Sequence, residues 1–61
     1  MQLGEARRYA QRLREHELLT VSISHEPEHR FVLSVLRPGE TELRVLRTRQ
    51  QVQDALMGRW S

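Results

Sequence analysis

The sequence predicts an α+β domain in the order α-β-β-β-α, a three-stranded antiparallel meander with two helices packed on one face. Three observations carry this. Apolar residues recur every three or four positions at both ends of the chain. They recur every second position through the middle. A Pro-containing polar stretch and a Pro-Gly pair divide that middle into three.

The first helix spans about 3 to 16. Leu3, Ala6, Ala10, Leu13 and Glu17 follow a 3,4,3,4 spacing, with Tyr9 and His16 beside them. Glu5 with Arg8, and Arg12 with Glu15, are spaced i,i+3 and are expected to pair. Arg7, Gln11 and Arg14 form a ridge on one flank.

The period then changes to two. Leu19, Val21 and Ile23 alternate with Thr20, Ser22 and Ser24 as a first strand. Phe31, Leu33 and Val35 alternate with Arg30, Val32, Ser34 and Leu36 as a second. Leu43 and Val45 alternate with Glu42, Arg44 and Leu46 as a third. The first connection, His25 to His29, contains Pro27. The second contains Pro38-Gly39, a type II turn pair in which Pro presets φ and Gly accepts a positive φ. Short connections make consecutive strands antiparallel.

Thr48 opens the second helix. With Gln51 three residues on, it reads as a capping box. Val52, Ala55, Leu56 and Trp60 form its buried stripe, and Gly58 ends it. An amphipathic helix of this length is not stable alone in water, so both must cover the apolar sheet face. The expected core is Leu19, Val21, Ile23, Phe31, Leu33, Val35, Leu43 and Val45 from the sheet, with Ala6, Ala10, Leu13, Val52, Leu56 and Trp60 from the helices.

Sixty-one residues are one small domain, 1–61. There is no cysteine, hence no disulfide and no thiolate metal site. No apolar run reaches the ~18 residues of a membrane span, and no signal peptide opens the chain. A cytoplasmic location is expected. The ten positive charges are all Arg. Residues 1–17 carry Arg7, Arg8, Arg12 and Arg14 against Glu5, Glu15 and Glu17, a balance of +1. Residues 24–42 carry Arg30 and Arg37 against Glu26, Glu28, Glu40 and Glu42, a balance of −2. Residues 43–61 carry Arg44, Arg47, Arg49 and Arg59 against Asp54, a balance of +3. The surplus is small for a nucleic-acid binder.

His25-Glu26-Pro27-Glu28-His29 matches the letters of a zinc-protease motif, which works only on a helix. Here it joins two strand patterns, and Pro27 opposes a helix through it. It is read as a polar hairpin tip, with no metal and no cofactor. No nucleophile elbow surrounds Ser22, Ser24 or Ser34, and no glycine-rich phosphate loop exists. These residues do not converge as a catalytic site needs, and no enzyme is expected.

Two binding readings follow. The first is a protein-binding module, an inhibitor, adaptor or assembly factor of the kind mobile elements and phage encode. It acts on a protein partner, or on itself, through the open sheet face, with Val32, Leu36 and Leu46 as apolar contacts and Arg30 and Arg44 as anchors. The second is a nucleic-acid module using Arg7, Arg14, His29, Arg44, Arg47 and Arg49. Arg44, Arg47 and Arg49 cluster where the third strand enters the second helix, whose N-terminus favours anions.

The element order, together with Glu26-Pro27-Glu28-His29-Arg30-Phe31 between the first strands and Thr48-Arg49-Gln50-Gln51-Val52-Gln53 at the second helix, resembles the double-stranded-RNA-binding domain. That family has a Gly-Pro-x-His loop followed by Phe, and a basic clamp at the second helix. The resemblance implies Gln11 or Arg7 at a minor groove, His29 at the next groove and Arg49 on phosphates. The loop glycine is Glu26 here, and Arg49 alone remains of the clamp.

Overall fold

The sequence pattern folds into five elements. They are α1 (Leu3–Glu17), β1 (Thr20–Glu26), β2 (Arg30–Leu36), β3 (Arg44–Leu46) and α2 (Arg49–Leu56). The computed structural model describes residues 1–60; the side chain of Glu17, placed above on the helix stripe, lies outside the described part. The sheet order is β1-β2-β3, antiparallel throughout, and both helices pack on one face. No helix among the described residues is long and apolar enough to cross a membrane.

α1 has no side-chain cap at Gln2. The chain start is held from the sheet instead. The Met1 amino group donates to the carbonyls of His29 and Phe31, and the Phe31 N–H donates back to the Met1 carbonyl at 3.1 Å. Met1 thus lies beside the end of β2 that short β3 does not reach. At its other end α1 stops at Leu18, which is left-handed (φ 55°).

β1 and β2 pair from Thr20 opposite Leu36 to Glu26 opposite Arg30, leaving a three-residue loop. Arg30 leaves that loop at φ 63°, a conformation three-residue hairpins usually assign to glycine. The Pro38-Gly39 turn forms as its residues dictate: Gly39 has φ 81°, and the Glu40 N–H reaches the Arg37 carbonyl at 3.1 Å. The capping box of α2 is also present. The Gln51 N–H donates to Thr48 Oγ1 at 3.2 Å, while Gln51 Oε1 accepts from the backbone of Thr48 (3.2 Å) and Arg47 (2.6 Å). Gly58 follows the helix at φ 81°.

The core joins Ala6, Ala10 and Leu13 of α1 to Leu19, Val21, Leu33, Val35, Leu46, Val52 and Ala55. Tyr9, Ile23, Phe31, Leu56 and Trp60 pack half-buried around it. Two alanines on the α1 face let the helix backbone come close to the sheet.

The third strand departs from expectation. Leu46 pairs with Leu33, and Val35 with Arg44. Positions 44 and 46 therefore face the helices, since paired residues share a face. Leu46 is buried (8% exposed) and Leu43 is 62% exposed, while Val45 sits half-buried on the open face. The expected core places for Leu43 and Val45, and the open-face place for Leu46 and Arg44, are corrected accordingly. The reversal is stable because Arg44 brings no naked charge inward: its guanidinium lies against the Trp60 ring and beside Glu40.

Leu18 combines a left-handed backbone with 89% exposure, so glycine fits there without strain. Leu18→Gly is expected to raise unfolding stability by about 1 kcal/mol. Leu33→Ala, at a fully buried site, is expected to cost roughly 2–5 kcal/mol. Denaturant midpoints at unchanged slope check both.

Candidate binding surfaces

The open face of the sheet is more polar than its sequence suggests. It carries Thr20, Ser22, Ser24 and Glu26 from β1, Arg30, Val32, Ser34 and Leu36 from β2, and Val45 with the following Arg47 on the β3 side. Val32 is on this face, as expected, yet only 1% exposed. The register explains it. Arg47 follows Leu46, which pairs with Leu33, so Arg47 starts beside Val32. From there its guanidinium reaches Glu26 on β1 with bonds of 2.9 and 3.2 Å. An ion pair joining the two outer sides must cross β2, and Val32 lies beneath the crossing.

Of the five residues expected to bind protein, Val32 and Leu46 are therefore buried. Leu36 is half-buried at the end of the sheet, Arg44 faces Trp60, and Arg30 reaches Gln2 Oε1 at 3.3 Å. They form no single patch.

The residues expected to bind nucleic acid also have partners within the fold. Arg14 donates to the Val21 carbonyl at 2.7 Å. Arg44 pairs with Glu40 at 3.3 Å, Arg47 with Glu26, and Arg49 with Glu5 at 2.7 Å. His29 Nδ1 lies near Glu26 Oε1, at 3.7 Å, but is buried without a hydrogen-bond partner. Arg7 alone of the six is exposed with no such contact among the described residues. The expected pairs Glu5–Arg8 and Arg12–Glu15 give way to Glu5–Arg49 and a Gln11–Glu15 bond of 3.3 Å. Glu5 thus ties the start of α1 to the start of α2 instead of pairing along its own helix.

His25 and His29 do not meet as metal ligands. His25 lies on the helix side and packs edge-on against Phe31, with ring centroids 5.3 Å apart. Among the described residues no group of three or more His, Asp or Glu gathers as a metal cluster.

A different surface emerges at the end of the sheet opposite the 27–29 loop. The topology brings there the end of α1, the start of β1, the end of β2, the start of β3 and the end of α2. The exposed large apolar side chains are Leu18, Leu43 and Met57 (89%, 62% and 69% exposed), and all lie at this end. Half-buried Trp60 lies at the same end. Arg37 stands over its ring at 4.9 Å and Arg44 at 5.8 Å, and Glu40 holds both guanidiniums, at 3.0 and 3.3 Å. The indole Nε1 is buried without a hydrogen-bond partner. Beside it runs a cleft of about 270 Å³ lined by Arg44, Leu46, Gln51, Asp54, Arg59 and Trp60, among others.

Sequence reasoning missed this end. The pattern places Leu43 in the core, where the structure leaves it exposed, and leaves Leu18 unplaced; Trp60 does pack half-buried against the core. The available signal was the Leu18-Leu19 doublet, since only one of two adjacent leucines fits an alternating strand.

Compared with known proteins, the chain matches no family model, no curated protein and no solved structure.

The Glu26–Arg47 pair makes two hydrogen bonds over a buried valine but remains partly exposed. A double-mutant cycle with Glu26→Gln and Arg47→Met is expected to give a coupling of about 0.5–1 kcal/mol, reduced in high salt. Urea denaturation of the four proteins measures it.

Proposed function

We propose that this chain is a non-enzymatic protein-binding module, of the inhibitor, adaptor or assembly-factor type. It docks through the apolar end of its sheet. One observation carries the reading: Leu18, Leu43 and Met57, the exposed large hydrophobics, all fall at the end of the sheet where Arg37 and Arg44 stand over Trp60. Grouped apolar side chains on a small domain mark an interaction surface, and Trp and Arg are the residues that dominate interface energetics. Leu18 supports the reading further, because a strained backbone bearing an exposed leucine contributes nothing to folding. The partner that fits is a protein with an apolar patch, carrying a carboxylate for the exposed Arg59 at the rim.

The α-β-β-β-α order is compatible with a fold like that of the double-stranded-RNA-binding domain. Topology alone does not carry function. Affinity for a duplex grows with the number of phosphates neutralised, and here Arg44, Arg47 and Arg49 already face carboxylates. The protein-binding reading is therefore preferred.

Affinity purification from the native host, with and without nuclease, tests it. A protein partner should persist after nuclease, be lost with Leu18→Ser/Leu43→Ser/Met57→Ser, and survive Val45→Ser on the open face. Retention by the triple variant would place the surface elsewhere. A duplex titration at low salt is expected to show no binding at micromolar protein; a salt-sensitive shift there, or release by nuclease, would restore the nucleic-acid reading.

A further inference from the structure

β1 is the outer strand of the sheet, and its outward backbone groups can be identified. Met1 and Phe31 exchange N–H···O bonds on the β3 side of β2. The backbone of Phe31 therefore points away from β1. His25 lies opposite Phe31, so by the alternation of an antiparallel ladder His25, Ile23 and Val21 turn their N–H and C=O groups away from β2. The Arg14 contact agrees, since its guanidinium meets the Val21 carbonyl from outside.

Edges of this kind are usually guarded by charge, proline or a bulge. Val21–His25 contains no Asp, Glu, Lys or Arg and no proline, and Ser22, Ser24 and His25 are exposed. Among the described residues Arg14 guards one carbonyl, that of Val21. β3, the opposite edge, has only three residues.

We propose that this edge pairs with the same edge of a second copy, antiparallel about a twofold axis at Ser24, to give a continuous six-stranded sheet. The occupant and the register follow from complementarity. With Ser24 opposite Ser24, Ile23 lies opposite His25 of the second copy and His25 opposite its Ile23. The N–H and C=O of both residues are then satisfied, four hydrogen bonds in all. Val21 falls opposite Pro27 of the second copy. Pro27 has no N–H to give, and the Val21 carbonyl needs none because Arg14 has taken it. Centring on Ile23 or Ser22 instead sets the Arg14-blocked carbonyl against a residue that must donate to it. Centring on His25 leaves the Ile23 carbonyl facing Pro27.

The side chains agree with this register. Ser24 meets Ser24 on the open face, where hydroxyls bond across strands. On the helix side, half-buried Ile23 comes beside His25 of the second copy, extending the His25–Phe31 contact. No like charges oppose each other: Glu26 faces Ser22. This surface shares no residue with the apolar end, so the two proposals stand or fall separately.

The chain has no cysteine, so single cysteines report the register without background. Ser24→Cys should form a disulfide-linked dimer under mild oxidation. Ser22→Cys should not, because the two positions would be roughly 14 Å apart in this register. Sedimentation of the unmodified chain should show mass rising with concentration. His25→Pro removes an outward N–H and no β1–β2 bond, and should weaken dimerisation at least tenfold, with far-UV circular dichroism confirming the fold. The proposal is overturned if Ser22→Cys cross-links as readily as Ser24→Cys, if Ser24→Cys stays monomeric, or if folded His25→Pro dimerises normally.

Discussion

The structure depends on covering one side of a three-stranded sheet with very little material. A chain of this length buries only about 60% of the surface it exposes when unfolded, so the few contacts it makes must be close. Ala6 and Ala10 provide that closeness. Both are fully buried, and their small side chains let the α1 backbone approach Leu33 and Val35, leaving Leu13 to fill the remaining space. α2 covers the β3 side with Val52 and Ala55. Were either helix missing, β2 would expose residues that have no other cover.

Local chemistry was legible in the sequence where it did not depend on distant partners. The apolar stripe of α1, the Pro38-Gly39 turn and the Thr48–Gln51 capping box are dictated by residues within a few positions of one another, and the structure has them all. The facing of β3 was not legible. Alternation alone favours Leu43 and Val45 over Arg44 and Leu46, because it counts arginine as outward. The actual facing is settled by Trp60, sixteen residues beyond Arg44, and by Glu40, which together accept a guanidinium on the helix side. The role of Met1 beside β2 was equally hidden, since it arises only because β3 stops short.

The arginines show the same dependence on context. Read along the chain they amount to a small positive surplus, densest at Arg44, Arg47 and Arg49. In the fold, Glu5–Arg49 fastens one helix to the start of the other, Glu26–Arg47 spans the sheet, and Glu40 gathers Arg37 and Arg44. The first two pairs join segments far apart in the chain, while Glu40 binds arginines three and four residues away. Guanidinium suits this use, offering several donors in a fixed plane together with a flat face for an aromatic ring. The large apolar side chains left uncovered lie at the end of the sheet and not on the open face, where Val32 is buried.

Trp60 is the chain's one tryptophan, and it is held beneath two cations at the end away from the β1 edge. Indole emission responds to the polarity and charge around the ring. The molecule therefore carries an intrinsic optical probe at one pole only. A protein settling over that pole would alter the spectrum and association along the outer strand would leave it unchanged, so fluorescence would tell the two proposed encounters apart without a dye.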